Sequence, residues 1–167
     1  MYIETKRLTV KPISENYKAE MLALFYDDEI KQTYMLPDFE NTREAEKLFC
    51  TFVRLSNSPD RVVGGIFCDR KLIGFINDVG VEAGSIELGY VISPEYKNQG
   101  YCTEALSAVI DYLFKTGFEA VICGAFEENA ASIRVMQKCK MRLLDKVEEI
   151  YYREKNHRCV YYSITKK

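Results

Sequence analysis

The sequence predicts an α/β (α+β) fold, a mixed, mainly antiparallel sheet of about seven strands flanked by four helices. Three observations carry this. Short apolar, β-branched runs follow one another across turns of a few residues, for which antiparallel hairpins are the simplest connection. Other segments repeat apolar residues at helical spacing behind polar capping residues. The order runs strand, two helices, three strands, helix, strand, helix, two strands, with no linker or repeat, so residues 1–167 are expected to form a single domain.

The first run, YIETKRLTVKPI, alternates loosely and reads as one strand. Ser14 is placed to cap a helix with Tyr17, Met21, Leu24 and Phe25 on one face. Asn41 followed by Glu44 resembles a capping box, and the helix behind it carries Ala45, Leu48, Phe49, Phe52 and Leu55 at helical spacing. NSPD, Asn57 to Asp60, is a turn. RVVGGIFC and KLIGFINDV are strands joined around Asp69 and Arg70, and GSIELGYVI follows a turn at Glu82 to Gly84. Thr103 to Thr116 is a helix with Leu106, Val109, Ile110 and Leu113 inward and Gly117 as its stop. EAVICGAF is a buried strand, and Asn129 caps a last helix bearing Ile133, Met136 and Cys139. The remainder reads as two strands around a polar connection near Arg153 to His157, which leaves His157 exposed.

Composition narrows the function classes. Hydrophobic residues make up 47% and charged residues 29%, ordinary for a globular protein, and a net charge of -2 offers no bulk attraction for nucleic acid. No apolar run is long enough to span a bilayer, and MYIETKRLTV is charged where a secretory leader is apolar, so a cytoplasmic protein without a membrane partner is expected. Six cysteines without a CxxC pair are expected to be free and mostly buried thiols. A single histidine, His157, excludes a multi-histidine metal site, and no metal is expected.

The segment ELGYVISPEYKNQGYCTEAL carries the chemistry. A buried strand, a polar turn with one glycine and a helix start together form an anion site. The first helical N–H groups have no partner within the helix, and the dipole adds positive potential there. Gly100 removes a side chain where a phosphate must approach the backbone, and Lys97 adds a charge. A plain strand-to-helix turn is the alternative. The loop is neither a Walker loop nor a dinucleotide fingerprint.

Read with its surroundings, the chain resembles the GCN5-related N-acetyltransferase (GNAT) superfamily. The pattern (Gln/Arg)-x-x-Gly-x-(Gly/Ala) lines up as KNQGYC, with Lys97, Gly100 and Cys102 at the patterned positions. IELGYVISPEY before it, TEAL after it, NAASIRVMQKCKM downstream and the opening IETKRLTVKPI look most like the ribosomal-protein-alanine N-acetyltransferase branch. Three positions depart from the pattern. Lys97 stands for glutamine or arginine, Cys102 for glycine or alanine, and Lys140, in KCKM, for a usual glycine.

The resemblance implies acetyl-CoA as co-substrate and a V-shaped splay between the fourth and fifth strands that holds the pantetheine arm. The backbone from Asn98 through Gln99, Gly100, Tyr101 and Cys102 to Thr103 would hold the pyrophosphate, with Val91, Ile92, Ser93 and Asn129 on the arm. Acetyl transfer to an amine needs a base, an N–H for the developing oxyanion and a proton for the leaving thiolate. Glu87, on one strand face with Gly89 and Val91, is the candidate base. The Val91 N–H is the candidate oxyanion donor and Ser132 the candidate acid, while Cys102 and Cys123, lacking a histidine partner, are expected to be core thiols.

The expected function is acetyl transfer to a primary amine, either a protein N-terminus or a small amine. Asp27, Asp28, Glu29, Asp38 and Glu40 are read as a source of an acidic acceptor cleft. Tyr151, Tyr152, Tyr161 and Tyr162 are read as strand packing, or else as an acceptor wall or a homodimer surface. The rivals are a sensor or interaction domain that binds acyl-CoA without turning it over, and a nucleotide-binding domain unrelated to CoA.

Overall fold

The first expected strand is broken in two. The Thr5 N–H donates to Leu8 O at 2.9 Å and closes a turn, so β1 (Ile3–Glu4) folds back on β2 (Thr9–Lys11) with Ile3 opposite Val10. The sheet of this computed structural model therefore has eight strands instead of about seven. Residues 1–166 are described; Lys167, the last residue of the expected domain, lies outside them.

Five α-helices form instead of four. α1 (Lys18–Tyr26) is followed at once by α2 (Asp28–Lys31), and the break falls at Asp27, whose extended backbone lets its carboxylate accept from the Ile30 N–H at 2.8 Å. Ser14 caps nothing through its side chain and instead precedes a short 3-10 turn, Glu15–Tyr17. α3 (Thr42–Ser56) is capped by Asn41 as expected, but the Glu44 carboxylate accepts from Glu40 N–H, one residue before the position that a capping box uses.

The expected hairpins form β3 (Val63–Cys68), β4 (Lys71–Glu82) and β5 (Ser85–Ile92). α4 (Tyr101–Lys115), β6 (Ala120–Phe126), α5 (Ala130–Lys138), β7 (Arg142–Tyr152) and β8 (Lys155–Thr165) complete the chain. Lys140, standing for the usual glycine after α5, has φ 63°, the left-handed conformation that glycine adopts freely. The N–H groups of Lys140 and Met141 bond back to Gln137 O and Met136 O, so the helix exit is made despite the side chain.

The sheet order is β1-β2-β3-β4-β5-β6-β8-β7. Every neighbouring pair is antiparallel except β5 with β6. α4 and α5 cover one face, where Ile86, Leu88, Leu106, Val109, Leu113 and Met136 share a core. α1 and α3 cover the other, where Phe25, Phe49, Phe75 and Val91 pack together. A third cluster, Phe126, Cys159 and Tyr161, is formed by β6 and β8, with Leu144, Ile150 and Tyr152 of β7 packed against it. His157 is in this region, 9% exposed, with its ring stacked on Phe126 at 4.2 Å. The expected exposed loop there is only the two-residue turn at Arg153 and Glu154.

Candidate active site

The parallel pairing of β5 with β6 starts at Ser85 opposite Ala120 and stops at Leu88 opposite Cys123. Beyond it the strands part, and Gly89 to Ile92 keep β4 as their sole neighbour. The expected splay between the fourth and fifth strands is this gap. A cleft of about 930 Å³ runs through it.

Ladder alternation decides which backbone groups face the gap. Ser93 N–H donates to Ile73 O at 2.8 Å. The register then makes Val91 opposite Phe75 a hydrogen-bonded pair of the same class. The Val91 N–H is directed at β4, so the expected oxyanion donor is used within the sheet. The N–H groups directed toward the gap are those of Tyr90 and Ile92. Ser93 is likewise spent on Ile73, and it does not line the cleft.

Glu87, Val91, Ile92, Lys97, Asn98, Gly100, Tyr101, Cys102, Thr103, Asn129 and Ser132 do line it. Gly100, at φ 80°, opens α4 without any side-chain cap, which leaves the N–H groups of Tyr101 to Thr103 free of helical partners. Arg7 braces this turn from behind: its Nη1 donates to Gln99 O at 2.9 Å, its Nε to Glu104 at 2.7 Å, and its guanidinium stacks on Tyr101. Gln99 is therefore backing and does not line the cleft. Lys97 Nζ is held by Glu29 at 2.5 Å. The Asn129 carboxamide oxygen accepts from Ser132 N–H at 3.1 Å, capping α5.

Ser132 Oγ lies 2.7 Å from the hydroxyl of Tyr90. Burial pushes the Tyr90 phenol well above its ordinary value. Alternation along β5 turns Tyr90 to the face away from Glu87, and the structure puts that face against α5. That alternation was the sole signal of its meeting Ser132.

Glu87 stands on the other face. Burial raises its carboxyl above the usual range, Lys146 opposes this, and Glu148 adds to it. It makes no hydrogen bond or ion pair among the described residues, whereas the other two carboxylates lining the cleft are engaged, Glu29 by Lys97 and Glu128 by His157 and Lys155. The expected acidic cleft from Asp27, Asp28, Glu29, Asp38 and Glu40 does not form: of these only Glu29 lines it, Asp27 caps α2, and Asp38 pairs with Lys31 and Arg153.

The tyrosines separate. Tyr162 joins the α4 and α5 core, Tyr151 is exposed, and Tyr161 lines the cleft with its hydroxyl on Glu148 at 2.5 Å. Tyr152 reaches across to Lys31 O at 2.8 Å and Leu36 O at 3.1 Å. Tyr34, between them, donates to Asn77 at 2.6 Å. Cys123 is a core thiol as expected, and burial raises it well above the ordinary value, whereas Cys102, with its thiol pushed up to about 12, is only partly buried and lines the cleft instead of lying in the core. Among the described residues no group of three or more histidine, cysteine or carboxylate side chains is placed to hold a metal.

Residues 7–142 match the acetyltransferase (GNAT) domain family. The chain is 31% identical over 147 residues to the uncharacterized N-acetyltransferase YnaD of Bacillus subtilis, covering 85% of this chain and 83% of that one. It is 29% identical over 141 residues to YoaA of the same organism, with coverage of 81% and 80%. A ribosomal L7/L12 α-N-protein acetyltransferase, RimL, solved with coenzyme A, superposes with a TM-score of 0.87 at 17% identity, over 99% of this chain and 98% of that one. A GNAT-family acetyltransferase from Bacillus anthracis superposes at 0.84 with 23% identity and the same coverage. The chain belongs to the GNAT acetyltransferase family and is an acetyltransferase.

Proposed function

We propose that the protein is an acetyl-CoA-dependent N-acetyltransferase acting as one domain, which moves the acetyl group to a primary amine, small or at a protein N-terminus, by direct attack in a ternary complex. One observation carries this reading. The gap beside Tyr90 and Ile92 joins an uncapped helix start at Gly100 on one side of the sheet to Glu87 on the other, a carboxylate without a partner among the described residues.

The residues fit such a donor. The N–H groups of Tyr101, Cys102 and Thr103 suit a pyrophosphate, and the outward N–H groups of Tyr90 and Ile92 suit an amide-rich arm laid along β5 like an added strand. Bound acetyl-CoA supplies a thioester-activated acetyl group. Glu87 takes the proton that makes the amine a nucleophile. A gap-facing N–H, Tyr90 or Ile92, holds the carbonyl oxygen. Tyr90 and Ser132 form one hydrogen-bonded unit that returns a proton to sulfur. The unit regains its proton from solvent, to which Glu87 releases the one it took from the amine. No enzyme thiol is needed as nucleophile, because Cys102 is held protonated.

Calorimetric titration with acetyl-CoA, with ATP and NAD as controls, tests the donor. Glu87→Gln tests the chemistry: binding retained with acetylation lost supports the enzyme. Binding without turnover by either protein would favour the sensor reading. No acetyl-CoA binding by folded protein refutes both.

A further inference from the structure

We propose that the acceptor is a primary monoamine whose neighbouring carbons are apolar, and that Tyr34, Met35 and Val79 select it. This rests on the acetyl-transfer reading above and names the second substrate class of that site.

The acceptor end lies on the α1 and α3 face, and its shape is set by two glycine–tyrosine pairs. A Cβ on Gly89 would stand 3.1 Å from the Tyr34 ring. A Cβ on Gly124 would stand 2.8 Å from the Tyr161 ring. Gly89 is on β5 and Gly124 on β6, one on each side of the gap, and the register puts both on the same face as Glu87. Each glycine lets a tyrosine lie flat against its strand. Glu87 therefore sits in a slot walled by two aromatic rings, a setting that suits a single organic ammonium before its proton is removed.

Charge then limits the acceptor. Glu87 is the one cleft-lining carboxylate without a partner among the described residues. Near it, Lys146 and Glu148 pair with each other at 3.1 Å and add no net charge. The slot has one negative charge to offer, so it matches one ammonium. Beyond Glu87, Val79, Met35, Ile150, Thr33 and Gln32 give an uncharged stretch of lining, and the carboxylates that also line the cleft, Glu29 and Glu128, are already paired. Val79, on the β4 bulge next to the residue opposite Glu87, is 60% exposed, and Met35 is 54% exposed. A second ammonium along the acceptor would meet this stretch without a free counter-charge, whereas an alkyl or aryl group would cover it.

The test compares hexylamine with hexamethylenediamine and spermidine, and a peptide beginning with Leu with peptides beginning with Asp or Lys. Acetylated product is measured by mass spectrometry, beside the acetyl-CoA calorimetry. The expected result is a kcat/KM for hexylamine about tenfold or more above that for the diamine, as apolar pockets discriminate. Val79→Asp and Met35→Glu, both at exposed positions that folding tolerates, should each shrink that ratio by up to about fivefold, the effect of one exposed ion pair. Leu-peptide above hexylamine points to a protein N-terminus and the reverse to a small amine; either supports the class. Preference for the diamine, spermidine or the Asp or Lys peptides overturns it, as does a ratio that neither variant moves. Acetyl-CoA binding without acetylation of any apolar monoamine overturns this inference alone; no acetyl-CoA binding overturns the reading beneath it as well.

Discussion

The hydroxyls of Tyr90, on β5, and Ser132, on α5, lie 2.7 Å apart. Burial keeps the phenol protonated at neutral pH, as the proposed role of the pair as proton donor to the leaving sulfur requires. Tyr90→Phe and Ser132→Ala are each expected to lower kcat by up to about 100-fold, the lower end of general-acid effects. Acetyl-CoA affinity by calorimetry should change little. The double variant should fall by much less than the product of the singles, since they act as one unit.

As the base proposed above, Glu87 is expected to set the acidic limb of the rate profile. Burial, the largest influence, raises its carboxyl above the ordinary glutamate range, against Lys146. Its active form as a base is the carboxylate, so activity should rise with pH through a midpoint above that of an ordinary glutamate. Glu87→Gln should remove that limb and about 100-fold or more of the rate. A carboxyl whose pKa is raised by folding contributes stability that is present at low pH and lost as pH rises through the raised value. The Gln variant should therefore melt slightly higher than the parent at pH 7, while the two converge in acid.

Lys140 occupies a left-handed position at φ 63°. Lys140→Gly relieves that conformation, which disfavours a non-glycine residue by about 1 kcal/mol. A rise in melting temperature of a few degrees is expected, with kinetics unchanged, because the residue lies outside the cleft.

Tyr152→Phe keeps the ring and deletes the hydroxyl that reaches Lys31 O and Leu36 O. A loss of about 1 kcal/mol is expected. Hydrogen exchange should quicken locally, at the amides of Thr33 to Leu36, and the acceptor KM should rise more than kcat falls, because Tyr34 belongs to that segment.

Thiol labelling should follow burial. Cys50 is exposed, while burial raises the thiols of Cys102, Cys123, Cys139 and Cys159. Iodoacetamide at pH 8 should modify Cys50 first, read by peptide mapping, with acetyl-CoA turnover intact after that single modification.

Most of the sheet was legible because its signals are local. KLIGFINDV and GSIELGYVI alternate and are separated by short turns, and α4 carries its own stop at Gly117. The alternation within IELGYVI placed Glu87 on the correct face and Tyr90 on the other. The errors are long-range. The turn that breaks the first strand is held by Glu104, far away in sequence, which accepts from the Thr5 hydroxyl at 2.6 Å and the Arg7 N–H at 2.9 Å, and His157 reads as polar loop until Phe126, also distant, is stacked on it. The acidic run near α2 looked like a cleft because sequence shows carboxylates but not the Lys97, Lys31 and Arg153 that neutralise them. The direction of the Val91 N–H depends on a register that only the neighbouring strand fixes.

The sheet is joined at its centre by a short seam, since β5 and β6 pair only from Ser85 to Leu88. A donor lying beside Tyr90 and Ile92 would act as a removable ninth strand, fastening the two halves along the length that the protein leaves open. Its affinity would then appear in the melting temperature, with about 2.7 kcal/mol of added stability at a hundredfold excess over the dissociation constant. Lifetime in the cell would track the supply of that metabolite, so that a shortage would thin out the idle enzyme through proteolysis before any regulator acted on it.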